Sequence, residues 1–324
     1  MSRKGELFGS TPADTGVHPD YQRLRDSVFH GAARDLMDSI FLRMGDPDGT
    51  FVQEFRTQGF HSRLFELGCF AYLDSTGFSI DRTHDRPDFL ASRAGLTIGL
   101  EATAANPTAG QSKDISAAGI RPWSPRETET NVSREFPRRM LSVLTNKLEK
   151  RYDLLPHCHG MPLVLAVAPY FEPGSVFHVD VALVPCLFEI GNSTESVEPF
   201  DPFFSLPGSE AVSAVIYCNQ FTVSRFVRMA SKGAIRPGIG FTHGFAYVPG
   251  EAGRNTLVEY RYDLSNQPDE SWAQGVTIFH NPHALLALPN GVLQGTSEFR
   301  VRGKKLVREV HSFHPLTVTM IVGG

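Results

Sequence analysis

The period of apolar positions changes several times along this 324-residue chain, and each change predicts an element. Residues 1–20 are polar and rich in Gly, Pro and Asp, which reads as a loose arm. From residue 21 to 42, Leu24, Val28, Ala32 or Ala33, Leu36 and Ile40 recur at helical spacing. A second helix is expected from residue 49 or 51 to 73. Its first half, FVQEFRTQGFHSR, is mixed, whereas LFELGCFAYL from Leu64 to Leu73 is almost wholly apolar and must be buried. Glu66 is the single charge in that run. Burying a carboxylate without a partner costs several kcal/mol, so Glu66 requires a cation, a metal or a neighbouring donor.

Residues 77–104 read as short strands. Between Leu96 and Thr103 the alternation is clean, with Leu96, Ile98, Leu100 and Ala102 on one face and Thr97, Gly99, Glu101 and Thr103 on the other. Asp88 follows Pro87 and opens a second apolar run, Phe89-Leu90-Ala91. The polar, Pro- and Gly-punctuated stretch 106–131 predicts a long loop or lid. A third helix over 134–152 carries Leu141, Leu144, Leu148 and Tyr152 on one stripe, with Lys147 at its border. A buried strand follows over 162–171, and residues 176–184 read as a strand or a short helix. The remainder alternates strand-like runs (AVSAVIYC, GFAYVPG, TLVEYRYDL, GVTIFHNP) with turns, and a hairpin is expected about Arg302-Gly303-Lys304-Lys305.

The expected fold class is therefore α/β, one core elaborated by a β-rich C-terminal extension. Its expected division is an arm and helix over 1–48, a core over 49–190, and an extension over 191–324 packed on that core. With 41% hydrophobic and 20% charged residues, neither global disorder nor a fibrous repeat fits. A net charge of −4 gives no broad basic footprint, so a polyanion would have to be gripped by local patches. Two are present: Arg134, Arg138, Arg139, Lys147, Lys150 and Arg151, then Arg300, Arg302, Lys304 and Lys305.

The N-terminal residues lack an apolar signal core, and no window is long enough to span a bilayer, so a cytoplasmic chain without a membrane partner is expected. The four cysteines are widely spaced without a C-x-x-C pair and read as small buried apolar residues. His157-Cys158-His159, His280-x-x-His283 and His311-x-x-His314 lie in loop or Pro-containing segments and read as structural. The elbow of serine hydrolases, the phosphate loop of NTPases and the dinucleotide fingerprint are all missing.

Glu66 on a helix, Asp88 at a strand start and Glu101 on the next strand then form the constellation with chemical content. An adjacent Asp and Glu suit a hard divalent cation, which takes oxygen ligands and keeps several waters.

RPDFLASRAGLTIGLEAT, preceded by a helix bearing Glu66, resembles the PD-(D/E)XK nuclease superfamily over about residues 50–190. The resemblance implies a restriction-endonuclease-like core, a mixed four-stranded sheet flanked by helices. It further implies a Mg2+ (or Mn2+) site formed by Asp88, Glu101 and the Ala102 carbonyl, assisted by Glu66, in an enzyme that hydrolyses phosphodiester bonds of DNA. The pattern breaks at Thr103, which stands where the family has lysine; Lys147 on the following helix is the candidate replacement. Thr103, Arg138, Arg139 and Lys150 would contact the nucleic acid, together with the 106–131 loop. A role in bacterial defence or mobile-element biology is implied, with self-association or defence-system proteins as further partners. The rival reading is a nuclease fold that binds nucleic acid or acts as a scaffold without cleaving.

Overall fold

The alternation at Leu96–Thr103 belongs to the strand around which the sheet is organised. The computed structural model describes residues 6–9, 16–108, 130–189, 200–231, 235–250 and 254–322. The chain begins with four helices, α1 (Pro19–Asp26), α2 (Gly31–Met44), α3 (Phe51–Arg56) and α4 (Phe60–Ser75). Strands β1 (Ser79–Asp81), β2 (Phe89–Arg93) and β3 (Leu96–Ala105) follow. A π-helical turn, Asn131–Glu135, leads into α5 (Phe136–Leu148), and β4 (Leu163–Pro169) comes next. Then come a short α6 (Val184–Leu187), β5 (Val212–Tyr217) and α7 (Val223–Ala230). The C-terminal strands are β6 (Gly240–Pro249), β7 (Asn255–Asp263), β8 (Thr277–His280), β9 (Ser297–Arg302), β10 (Lys305–Val310) and β11 (His314–Val322).

Eight strands form one mixed sheet in the order β1-β2-β3-β4-β5-β8-β9-β10, and β11-β6-β7 form a second, antiparallel sheet. The β3, β4 and β5 strands run parallel, whereas β1, β2 and β3 form an antiparallel meander. Parallel strands covered on both faces need apolar residues at every position, and all seven residues of β4 are buried. Val164, Ala166 and Ala168 enter a core that contains Phe65, Phe70, Phe89 and Leu100 on the α4 side. Leu165 and Val167 enter the opposite core, with Phe136, Met140 and Leu144 of α5. The expected boundary at 190 falls between β4 and β5, which are hydrogen-bonded neighbours, so the sheet itself continues across it.

Both predicted N-terminal helices are broken. The 21–42 helix stops at Ser27, whose backbone is extended (φ −78°, ψ 125°), and a 3-10 turn, Val28–His30, precedes α2. Arg34 makes the break tolerable by donating to the carbonyls of Leu24 and Ser27, at 2.8 and 2.7 Å. Val28, placed on the apolar stripe by its spacing, is 94% exposed. The 49–73 helix divides between α3 and α4 around Gly59, where an added Cβ would lie 2.9 Å from Glu54 Cβ. Residues 176–184 are 3-10 turns leading into α6, not a strand. The predicted terminal hairpin is β9–β10. Residues 109–129, the bulk of the expected 106–131 loop, lie outside the described residues. The four cysteines are buried and unpaired with one another. Among the described residues no helix is long and apolar enough to cross a membrane.

Helix α4 packs on β3 and closes against the residues after β5 through Gly68, where an added Cβ would approach Phe221 Cβ to 2.6 Å. In an open helix, Gly68→Ala would gain about 1 kcal/mol of helix propensity. Here overpacking against buried Phe221 costs roughly 1–3 kcal/mol. Urea denaturation of Gly68→Ala is expected to show a net loss of stability, partly recovered by adding Phe221→Leu. A gain in the single variant would contradict this packing.

Candidate active site

The site forms where β2 ends early. Strands β2 and β3 pair in register from Arg93↔Leu96 to Phe89↔Leu100, and β3 then continues to Ala105 with β4 as its pairing partner. Two pairs further, that register would set Ala102 opposite Pro87, and proline has no N–H to give a ladder. Pro87 instead lies over Gly99, where an added Cβ would come within 3.1 Å of the proline Cγ. The edge of β3 beyond Leu100 is thereby left to Asp88. Asp88 Oδ2 accepts from the Ala102 N–H at 2.7 Å, and the Asp88 N–H donates to Glu101 Oε2 at 3.1 Å. In a strand, the N–H and C=O of one residue face the same edge, so the Ala102 carbonyl faces the Asp88 side too.

Glu101 is buried and points, with Thr103, to the α5 face. Lys147, in the last turn of α5, donates to Glu101 Oε1 at 2.5 Å. The phenol of buried Tyr152 also hydrogen-bonds Glu101; burial and the Glu101 charge raise its pKa far above the ordinary phenol value.

Glu66 lies on α4, on the other side of the sheet. Its two oxygens are taken by Arg63 and Arg82, each at 2.5 Å. Arg82 also donates to the carbonyl of Gly45 at 2.9 Å and lies over the Phe89 ring. The partner that its burial demands is therefore a pair of guanidiniums. Burial raises the pKa of Glu66 while both arginines pull it back.

Among the described residues Asp88 has no such counter-ion of its own. Desolvation comes first, then the charges of Glu101 and Glu66; together they push its pKa well above the usual carboxylate range, against the Ala102 N–H and Lys147. Three carboxylates thus share this region with three nearby cations, and the cations sit on the other two. Asp88 Oδ atoms, Glu101 and the Ala102 carbonyl are an all-oxygen donor set, which is the chemistry that a hard divalent cation fits.

Among the other expected site residues, Thr103 is half-buried on β3, one side-chain position beyond Glu101 on the same face. Arg138 is exposed and paired with Glu135 at 2.7 Å. Arg139 reaches Thr108 Oγ1 and lies over the Phe171 ring. Lys150 is exposed in the turn after α5. Four contributors escaped sequence reasoning: Arg63, Arg82, Tyr152 and exposed Arg86, whose charge reaches Tyr152. The Arg86 carbonyl also contacts His157 Nε2, at 2.8 Å. A cavity of about 240 Å3, with Gly99 and Tyr152 in its wall, lies on the Glu101 side of the sheet. The remaining histidine pairs serve other contacts: His280 and His311 face Glu298 at 3.0 and 3.4 Å, and His314 faces Asp180 at 3.1 Å.

The Asp88 shift has a defined sign in stability. Below the ordinary Asp value of 3.8 the carboxyl is protonated in both folded and unfolded chains. Above it, the unfolded chain releases a proton that the folded chain retains, so stability falls as pH rises until the raised folded value is passed. Asp88→Asn keeps an acceptor for the Ala102 N–H and removes the charge. In chelator-containing buffer this variant should be more stable than wild type at pH 7–8, by roughly 0.5–2 kcal/mol. The two stability curves should converge below about pH 4, and a destabilised variant at pH 7–8 would show that Asp88 is not under like-charge stress.

The chain matches no family model, and comparison with curated proteins and with solved structures likewise returned no match.

Proposed function

We propose that this chain is a divalent-metal-dependent nuclease of the PD-(D/E)XK type, acting on phosphodiester bonds of DNA. The observation that carries the reading is the meeting, at one open stretch of the β3 edge, of Asp88, Glu101 and the Ala102 backbone, with Lys147 on Glu101. The element order supports the reading as well: α4-β1-β2-β3-α5-β4 builds a mixed four-stranded unit with a helix on each face, as a restriction-endonuclease-like core would require.

Asp88, Glu101 and the Ala102 carbonyl would hold Mg2+ or Mn2+. When bound, such a cation polarises a phosphoryl oxygen and lowers the pKa of a water molecule. Asp88 stays fixed for that task because the Ala102 N–H holds its carboxylate. Lys147 brings a positive charge from the neighbouring helix to the Glu101 side, where it can stabilise charge that builds up on the phosphate. It takes the place of the lysine that the strand lacks at Thr103. The Thr103 hydroxyl is left to hydrogen-bond a phosphate oxygen. Glu66 acts at one remove: it holds Arg82, and Arg82 in turn reaches the Asp88 carbonyl at 3.4 Å. Exposed Arg86, Arg138 and Lys150 supply cations for a backbone that a chain of net charge −4 must grip locally.

The test is cleavage of plasmid, single-stranded DNA and RNA with Mg2+ or Mn2+. Asp88→Ala and Glu101→Ala should abolish metal-dependent cleavage. Lys147→Ala should reduce it by about 100- to 1000-fold, as for loss of one donor to a transition-state oxyanion, with partial recovery in Lys147→Arg. Equal cleavage by wild type and the carboxylate variants would refute the site. DNA binding without cleavage in wild type would favour the non-catalytic reading, and a preference for RNA would change the substrate.

A further inference from the structure

A second cavity, of about 280 Å3, opens beside α4; Asp20, His61, Tyr170, Gln220 and Thr319 are among its lining residues. Two of these, with His18 behind them, bring together three metal-ligating side chains that the nuclease reading leaves unused. His18, Asp20 and His61 place their ligand atoms within 4.8 Å of one another, the one such three-residue group of His, Cys, Asp or Glu among the described residues. We propose that His18, Asp20 and His61 bind a borderline divalent cation, Zn2+ foremost, with the remaining coordination position open to the cavity.

The distances fit the ion. Ligand atoms about 2.0–2.1 Å from a tetrahedral zinc stand about 3.3 Å apart. His61 Nε2 lies 3.3 Å, and His18 Nδ1 3.8 Å, from Asp20 Oδ2, and all three ligand atoms lie within 4.8 Å of one another, so a modest inward movement of the imidazoles closes the set. Asp20 Oδ2 is itself an unsatisfied atom. It is buried and accepts no hydrogen bond. Such an oxygen normally has a partner, and a cation on the cavity side would supply it.

The surroundings hold the ligands in place. Arg23 binds Asp20 Oδ1 from one helical turn away and orients the carboxylate, as outer partners of metal ligands do. The His18 ring stacks on Phe60 at 5.0 Å and meets His61 edge-on at 4.8 Å. The His18 backbone N–H donates to the Arg56 carbonyl at 2.9 Å. His18 Nδ1 accepts from the Asp20 N–H at 3.1 Å, and the cation would take that lone pair. The N–H so released belongs to the first turn of α1, where helices leave amides to water.

Ligand type sets the cation. Two imidazoles and one carboxylate suit zinc and its neighbours, whereas Mg2+ and Ca2+ favour oxygen alone. Three protein ligands leave a fourth position, and the cavity that Asp20 and His61 line lets water or a small oxygen ligand fill it. The site is thus distinct in chemistry from the all-oxygen set at Asp88 and Glu101.

The untagged, chelator-stripped full chain should bind one equivalent of Zn2+ in equilibrium dialysis with metal analysis, and Co2+ should give the visible absorption of a tetrahedral complex. His61→Gln and Asp20→Asn, checked for folding by circular dichroism and metal-free melting, should lose at least about 100-fold in affinity. The Asp88→Ala, Glu101→Ala double variant should retain the equivalent. No stoichiometric Zn2+ in wild type overturns the proposal whatever the variants do. It also fails if His61→Gln binds as tightly as wild type, or if the equivalent disappears in the double variant while surviving in His61→Gln.

Discussion

The Ala102 N–H to Asp88 Oδ2 hydrogen bond is the contact on which the candidate active site depends. It substitutes a carboxylate for the backbone oxygen that a continuing β2 would have supplied, and so converts a ladder position into a binding position. Two sequence features bring it about. Pro87 cannot extend the ladder, and Gly99 leaves the space over which Pro87 turns. The side chain that takes over is then fixed by backbone, not by a flexible partner. Rigid elements place functional groups more accurately than loops do; one end of this contact lies in β3 and the other immediately precedes β2.

Charge distribution follows from that placement. Glu66 keeps its burial tolerable with two arginines, and Glu101 shares Lys147 and Tyr152, but Asp88 receives mainly a neutral donor. The like charges of Glu101 and Glu66 therefore fall on it. Pairing Asp88 with an arginine of its own would relieve this stress and fill the space beside the Ala102 carbonyl. Stress concentrated on one carboxylate is a common mark of a functional site.

Much of this was legible in the sequence, and the part that was not has a physical reason. Period-two alternation placed Glu101 and Thr103 on one face, and the apolar run of α4 announced that Glu66 is buried. Lys147 at the border of the α5 stripe pointed to a side chain that could reach inward, and it does. Periodicity reports which face is buried, not what meets a side chain there. Arg82 joins Glu66 from sixteen residues away through a non-periodic segment, and Tyr152 read as an ordinary core residue on its stripe. The helix breaks at Ser27 and Gly59 were hidden because apolar spacing continued across them, while Arg34 and the close approach to Glu54 act only in three dimensions. The His18, Asp20 and His61 group spans forty-three positions and two helices, so spacing carried no signal of it.

On the proposed nuclease reading, a threonine at the strand position of the motif lysine is a smaller departure than it looks. Thr103 is two residues beyond Glu101, about 6.6 Å along β3. Helix α5 connects β3 to parallel β4, so it must run back against both strands before β4 begins. Its last turn consequently lies level with the start of β4, and there Leu163 and Leu165 pair with Gly99 and Glu101. A lysine in that turn arrives above Glu101 from the crossover itself. Topology thus gives the helix the same access to the carboxylate that the strand position would have had, and it leaves Thr103 free to be small and polar.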